Sequence, residues 1–206
     1  DGFWTTEFEN ELSIFLEELN SLLENDIDFL STQVSELSSS NVHMFFTTPE
    51  TYKDFYNQDE NLSLEDYLGY AKWKYNGNGY IYQGRVFLNG PEMNSNRRIK
   101  WTIKHELGHI LGLKHTEDET SVMHPSYIVG KNDGYSDIDK EALRFLHDKR
   151  MPLFSDSDSS IKILENILEI SSSNKSYSQT YKNEFLKNSK KLNTNAVLSI
   201  CGQLKN

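Results

Sequence analysis

Three histidines, a glutamate and a glycine occur at fixed spacing over residues 105–115, which read H-E-x-x-H-x-x-G-x-x-H. This pattern is typical of a zinc site with three histidine ligands and a carboxylate beside it. His105 and His109 are four residues apart, so they lie one turn apart on the same face of an α-helix. Gly112 can adopt the left-handed conformation that ends a helix, which lets His115 turn back toward the other two.

The donor set predicts catalytic rather than structural metal chemistry. Three neutral imidazoles leave one position of a tetrahedral zinc open for water, whereas structural zinc sites are closed by four protein ligands. Glu106 points to the same side and can take a proton from that water. The alternative is a helix that carries these residues by chance, and five specified residue types at fixed positions argue against it. We therefore predict one zinc held by His105, His109 and His115, with Glu106 as the catalytic base.

Composition excludes several classes of protein. The 206 residues fit one domain, or one domain with an appendage. A net charge of −10 argues against nucleic-acid binding, which requires a basic surface. No run of 18 apolar residues is present, so no membrane span is predicted. The single cysteine, Cys201, excludes an intrachain disulfide and a cysteine-rich zinc site.

Hydrophobic periodicity predicts helices around the motif and at both ends of this region. The motif itself is predicted on a helix over 97–111, with Ile99, Ile103, Leu107 and Ile110 on one face. Two further helices are predicted over 5–24, with Phe8, Leu12, Phe15, Leu19 and Leu22 apolar, and over 137–150, with Ile138, Ala142, Phe145 and Leu146 inward. Ser136 is a plausible N-cap of the last helix.

Strand signals are shorter. Residues 42–46 predict a buried strand, 80–88 predict a second strand, and 27–34 are a weaker candidate. Residues 51–75 predict a short helix plus loop, followed by a turn at 76–79.

Pro152 and the Ser/Asp run at 155–160 indicate a boundary, which divides the chain into a domain over 1–151 and a C-terminal extension over 152–206. The last 32 residues carry six lysines and one acid, whereas the first 52 carry eleven acids and no base. We expect the extension to be mainly helical and to pack on the domain near the acidic first helix. A mobile basic tail, or a contact to another chain, is the alternative.

A second motif follows the histidines, and the two motifs together resemble those of a known family. Residues 121–127 read Ser-Val-Met-His-Pro-Ser-Tyr, and Met123 stands eight residues after His115. The long histidine motif followed by a methionine turn resembles the metzincin clan of zinc metallopeptidases. The acidic stretch, the M-x-P-x-Y segment and the helix after residue 135 are similar to the matrixins within that clan. The likeness is strong over 99–147, weaker over 5–98 and absent after about 151.

The resemblance implies an α+β zincin fold. Its parts are a small twisted mixed sheet with an edge strand over the cleft, an active-site helix, a Met-turn and a closing helix. It also implies that Met123 forms the floor below the metal, and that Pro125, Ser126 and Tyr127 form the wall of a substrate pocket. Tyr127 could instead hydrogen-bond the tetrahedral intermediate. The strand over 80–88 is expected to be the edge with which an extended substrate pairs.

The chain departs from the matrixin pattern in two respects. Matrixins usually carry a second, structural zinc and calcium ions in the loop before the edge strand, but 60–80 contains no histidine. The other histidines are His43, His124 and His147, so one zinc is expected; His124 is expected to face solvent or pack locally. Structural calcium is unsupported, since the Asp/Asn clusters at 132–139 and 155–158 are typical of caps and solvated loops. Only about four residues precede the first helix, so the clan's first strand is either lost or replaced. Cys201 is expected to be a buried thiol rather than an inhibitory zinc ligand.

The sequence therefore predicts a zinc-dependent endopeptidase that hydrolyses peptide bonds in extended polypeptides. The resemblance also implies a secreted or cell-surface protein, and we expect a monomer with a polypeptide substrate and no nucleic-acid partner. One alternative is a non-catalytic, zinc-containing module that binds peptides or proteins. Another is a metallohydrolase that acts on a non-peptide amide.

Overall fold

A computed structural model describes residues 3–23, 41–56, 63–75 and 81–146 of the chain. The candidate strand at 27–34, the turn at 76–79 and the extension over 152–206 with Cys201 lie outside the described residues. The division into two domains, and the docking of the extension, therefore stay predictions.

Helix α1 spans Thr6–Leu22. It begins where the Thr5 side chain accepts a hydrogen bond from the Phe8 backbone N–H, which satisfies one of the donors that a helix start leaves free. The apolar positions at steps of three and four are buried: Phe8, Leu12, Phe15 and Leu19. The helix predicted over 5–24 is confirmed.

Three strands form one mixed sheet: β1 over Val42–Thr47, β2 over Gly69–Tyr75 and β3 over Ile81–Asn89. Their order is β1-β3-β2, with β1 parallel and β2 antiparallel to β3. A short helix, α2 over Pro49–Phe55, and a single 3₁₀ turn at Leu64–Asp66 connect β1 to β2. The predicted mixed sheet and the strand over 42–46 are confirmed.

Two expectations about this sheet are wrong. The strand over 80–88 is not an edge, because β3 is hydrogen-bonded to β1 on one side and to β2 on the other. The second half of the segment predicted as helix plus loop is strand β2, which pairs from Gly69 opposite Leu88 to Tyr75 opposite Ile81. Lysines at 72 and 74 made this segment look like a polar loop. They are instead the alternating, outward positions of a strand.

The sheet packs on both faces. Its inner face packs against α1 and the helix that follows β3, in a core that includes Phe46, Val86, Leu88, Ile103 and Leu143. Its outer face carries a smaller cluster made by Tyr52, Leu64, Tyr70 and Phe87. The Asn89 side chain donates to the carbonyls of Leu64 and Tyr67, which holds the approach to β2.

Helix α3 spans Asn96–Ile110 and carries the histidine motif, as predicted. It begins at Ser95, whose hydroxyl accepts from the Arg98 N–H. At its other end the Leu113 N–H bonds to the Gly108 carbonyl, and the Gly112 N–H bonds to the His109 carbonyl. These two bonds form a Schellman motif. Gly112 has φ of +98°, the left-handed conformation expected of it.

Lysines of α3 face acids of α1. Lys100 pairs with Glu11 at 2.9 Å and Lys104 pairs with Glu18 at 3.0 Å. Exposed pairs of this kind stabilise a fold by only about 0–1 kcal/mol each. The basic extension was expected to approach the acids of α1. Two of these acids, Glu11 and Glu18, already pair with lysines of α3.

The last described helix, α4, spans Asp137–Leu146, within the predicted range of 137–150. Ser136 and Asp139 form a reciprocal cap, since each backbone N–H donates to the other residue's side chain. Leu143 is fully buried, although the prediction did not include it. None of the helices in the described ranges is long and apolar enough to cross a membrane.

We predict that Phe8→Ala lowers the free energy of unfolding by about 3–5 kcal/mol, the usual range for a buried phenylalanine. The Phe8 ring is buried against Phe46 at 4.8 Å and Trp4 at 4.5 Å. Urea denaturation measures the change. Ile14→Ala is the control, because Ile14 lies on the same helix with 51% of its surface exposed. It should change stability by less than about 0.5 kcal/mol, and equal losses in both variants would contradict the packing of α1.

Candidate metal centre

Three histidines converge at the end of α3. The Nε2 atoms of His105 and His109 are 3.3 Å apart, and those of His105 and His115 are 3.2 Å apart. Within the described ranges, this is the only group of three His, Cys, Asp or Glu residues with ligand atoms that close, all within 4.8 Å of one another. The structure therefore brings together the three residues that the sequence predicted as ligands.

Backbone carbonyls determine which nitrogen of each buried ring carries the proton. His105 Nδ1 lies 2.6 Å from the Val122 carbonyl oxygen, and His109 Nδ1 lies 2.8 Å from that of Leu113. A carbonyl only accepts hydrogen bonds, so both Nδ1 atoms donate and both Nε2 atoms carry a lone pair. Lone pairs that face each other at 3.3 Å repel unless a cation lies between them. This arrangement is the usual one for histidine ligands of a metal.

Burial keeps these rings neutral. Desolvation lowers the pKa of His105 well below its usual value, and the neighbouring His109 adds to this shift. Desolvation likewise lowers the pKa of His109 to about 4. Neutral imidazole is the form that binds a metal. His115 is the solvent-exposed member of the three.

Glu106 lies beside the histidines and is buried. Its Oε2 atom has no hydrogen-bond partner among the described residues. Desolvation raises the pKa of this carboxyl group well above its usual value. A buried carboxylate without a partner is costly for folding, and residues of this kind are concentrated at functional sites.

Met123 lies beneath the helix turn that carries the ligands. It is 1% exposed, and a β carbon at Gly108 would approach its sulfur to 2.5 Å. The Met123 N–H donates to the Ser121 hydroxyl at 2.9 Å, and that hydroxyl donates to the Asp139 carboxylate at 2.7 Å. Desolvation raises the pKa of Asp139, while the hydrogen bond from Ser121 opposes this shift. The turn is thus tied directly to α4.

The segment predicted as a pocket wall follows this turn. Pro125 is exposed, and Ser126 and Tyr127 are half-buried. Asn132 is fully buried and holds the loop: its side chain accepts from the Ile128 N–H and donates to the Ser126 carbonyl.

The hydroxyl of Tyr127 already makes a hydrogen bond. Its hydroxyl donates to Asp133 at 3.1 Å, which favours a wall over a group that reaches toward an intermediate.

The two other histidines in the described ranges do not belong to this group of ligand atoms. His124 packs locally, with Nδ1 accepting from the Ser126 N–H, and His43 is buried on β1 with Nδ1 3.2 Å from the Tyr56 hydroxyl. The acids of the 132–139 cluster that have described partners serve as loop and cap residues, as the sequence indicated.

The Trp101 ring contacts both the candidate ligand His105 and the predicted wall residue Tyr127. Its ring is fully buried, stacks on the His105 ring at 4.6 Å and lies 5.7 Å from the Tyr127 ring. Its indole N–H has no partner among the described residues. Trp101 therefore occupies the space between α3 and the wall segment.

Comparison with known proteins agrees with this geometry. The matrixin family model matches residues 17–147, which is more than half of the chain. The chain belongs to the matrixin family. No curated protein and no solved structure matches it. At the level of the family, this matrixin is a zinc metallopeptidase.

The residues present fit the zinc that the family implies. Three imidazoles converge here, and backbone carbonyls direct the Nε2 lone pairs of His105 and His109 inward, which is a suitable donor set for this ion. The unpartnered carboxyl of Glu106 lies beside them. This matrixin therefore has a complete set of groups for one metal ion.

Sequence reasoning missed four parts of this matrixin's site: Trp101, the Ser121–Asp139 link, Asn132 and the glycine at position 69. Trp101 carried a signal, since it stands four residues before His105 on the same helix face. The Ser121–Asp139 bond joins residues 18 positions apart, and local pattern cannot reveal it.

We predict that the metal-free protein takes up one zinc per chain. His109→Ala should weaken zinc binding by more than about 100-fold, because loss of a ligand exceeds the 10–100-fold effect of losing a supporting residue. Zinc content after dialysis, measured by mass spectrometry, checks this. His124→Ala is the matched control and should retain zinc. Two zinc ions per chain on separate ligands, or equal loss in both variants, would contradict the assignment.

Proposed function

We propose that this matrixin is a zinc-dependent endopeptidase that hydrolyses peptide bonds in extended polypeptides. The observation that carries the proposal is the tautomer arrangement of His105 and His109 beside the unpartnered carboxylate of Glu106. Three converging imidazoles, two of them with lone pairs directed inward, and a proton acceptor beside them are what metal-assisted hydrolysis needs. The family assignment supports the same reaction class.

His105, His109 and His115 would hold the zinc. When bound, the ion lowers the pKa of water and polarises a carbonyl oxygen. Glu106 takes one proton from the attacking water, and the water oxygen forms a bond to the carbonyl carbon. Glu106 then returns that proton to the amine nitrogen as the C–N bond breaks. Glu106 holds the proton between the two steps.

Strand β2, rather than β3, is the edge for an extended substrate. Among the residues that the structure describes, β2 pairs only with β3, which leaves its other side as the sheet edge. Gly69 at the start of β2 lies directly against Glu106. A peptide added to this edge would therefore run past the catalytic base, with backbone hydrogen bonds supplying its alignment.

We propose that a substrate pocket between α3 and the wall of Pro125, Ser126 and Tyr127 is short. Trp101 touches both sides of that space, stacking on His105 and packing against Tyr127. We propose that the residue after the scissile bond has a small side chain. A large aliphatic or aromatic side chain would need the indole to move.

The alternative, a module that binds peptides without cleaving them, keeps the same ligands but makes no use of Glu106. A buried carboxylate without a partner is a cost that such a module has no reason to retain.

Matrixins are typically extracellular, and we propose a secreted or cell-surface location for this one.

Glu106→Gln tests the chemistry. We expect zinc to stay bound and kcat for a quenched fluorescent peptide, selected from a library with the wild-type protein, to fall by about 10²–10⁴-fold. The amide fills the same space but cannot take the proton. Glu119→Gln is the control, because Glu119 is an exposed acid in the loop between His115 and Met123 that pairs with Lys131. A Glu106→Gln protein within threefold of wild type would overturn the mechanism. A wild type that binds peptides and cleaves none would favour the binding module.

Trp101→Leu tests the pocket. The wild type should prefer alanine or serine after the scissile bond, and the variant should raise the kcat/KM ratio for leucine over alanine at least tenfold, within the usual effect of one or two methylenes. Cleavage of a peptide series that differs at this position measures the ratio. Trp4→Leu is the control, since Trp4 packs on Phe8 at the start of α1. An unchanged ratio in the Trp101→Leu protein would show that the indole does not limit the pocket.

A further inference from the structure

Gly69 occupies a position where a side chain would collide with the catalytic carboxylate. It is the first residue of β2, is buried, and pairs with Leu88 of β3. A β carbon at this position would lie 2.6 Å from Glu106 Oε1 and 2.8 Å from Glu106 Cγ. It would also lie 2.6 Å from the Thr102 methyl, whereas ordinary contact begins at 3.4 Å. The Glu106 side chain and the Thr102 methyl together fill the volume that any other residue at position 69 would require.

The strand cannot move to make room. The Asn89 N–H donates to the Leu68 carbonyl at 2.9 Å on one side of Gly69. On the other side Tyr70 is buried in the outer cluster, edge-on to Tyr52. Helix α3 is held equally firmly, since Ile103 and Leu107 are buried in the main core. A side chain at 69 would therefore displace the Glu106 side chain rather than the backbone.

Packing positions one side of this carboxylate without help from hydrogen bonds. Glu106 Oε2 has no partner within the described ranges, so no donor there holds it in place. Its location is set by what it lies against, and the backbone at Gly69 is one of these surfaces, because a β carbon there would overlap Glu106. The packing of the Glu106 carboxylate against the Gly69 backbone orients it in place of a hydrogen bond.

We infer that Gly69 is a positioning residue for Glu106: its missing side chain lets the carboxylate lie between β2 and α3 at the place where it serves as base. The inference rests on the proposed function for its catalytic consequence. A general base has to be within about 2.6–3.2 Å of the proton that it takes. A displacement of about 1 Å commonly costs about 10²-fold in rate.

Gly69→Ala and Gly84→Ala form a matched pair of variants. Gly84 lies on β3 and faces the same helix, but a β carbon there would meet Ile110 at 3.0 Å, one helical turn beyond Glu106. For the peptide chosen with the wild-type protein, we expect Gly69→Ala to keep its zinc, to hold KM within about twofold and to lose about 100-fold in kcat. Gly84→Ala should keep kcat within about threefold of wild type. Equal kcat losses in the two variants, or a Gly69→Ala kcat within threefold of wild type, would overturn the inference.

Two second-site substitutions distinguish the contribution of Glu106 to the Gly69→Ala effect from that of its neighbour Thr102. Glu106→Asp shortens the acid by one methylene, and Thr102→Ser removes the methyl group but keeps the hydroxyl that donates to the Arg98 carbonyl. We expect Glu106→Asp to lower kcat in the wild type but to cause no further loss in Gly69→Ala. Recovery of kcat by Thr102→Ser in Gly69→Ala would assign the effect to the methyl group and would overturn the inference.

A stability measurement decides the matter even if the protein cleaves no peptide. The shift of the urea midpoint caused by Gly69→Ala is measured in the full chain with Glu106 and again with Glu106→Ala. Removing the carboxylate removes the two contacts with Glu106 and leaves the one with the Thr102 methyl, so the shift in the Glu106→Ala background should be no more than half of that in the wild type. Equal shifts in both backgrounds would overturn the inference, and this result would be independent of any failure to observe catalysis.

Discussion

The structure of this matrixin depends on the burial of three polar side chains by one helix. Helix α3 has to bury His105, Glu106 and His109 together with apolar neighbours such as Ile103. Buried polar groups are costly unless they are hydrogen-bonded. The carbonyls of Val122 and Leu113 satisfy the two histidines from behind, while the inward nitrogens and the carboxyl of Glu106 are left without such support. The fold therefore carries a local instability at the place where we propose a metal and a substrate bind.

Several elements exist to hold this arrangement. The Schellman motif at Gly112 places the Leu113 carbonyl behind His109, so the end of the helix also orients the ring of this candidate ligand. The turn that supplies the Val122 carbonyl is tied through Ser121 to the buried carboxylate of Asp139, and thus to α4. Asp139 also caps α4, so one carboxylate connects the turn to the helix that closes the domain. Such a network orders its parts because every member is satisfied only in this geometry.

Local pattern predicted much of the fold because the core is amphipathic in a regular way. The apolar steps of α1 and α3, the buried run of β1 and the four-residue spacing of His105 and His109 each reflect one element's own periodicity. The two errors in the sheet arose where pairing decides the outcome. Whether β3 lies at the centre or the edge of the sheet depends on which strands flank it. The outward lysines of β2 give that segment the polar composition of a loop. Leu143 was missed because the inward face of α4 depends on how that helix packs.

The sequence by itself indicated a zinc metallopeptidase, since three histidines, a glutamate and a methionine are residue types at fixed distances along the chain. It also determined the helix that carries them, because a period of 3.6 residues aligns His105 with His109. Only the tertiary structure decided which nitrogens face inward, which strand lies beside Glu106, and how Trp101 and Gly69 shape the space around it. Those features depend on contacts between residues far apart in sequence, where carbonyl position and side-chain volume, rather than spacing, set the geometry.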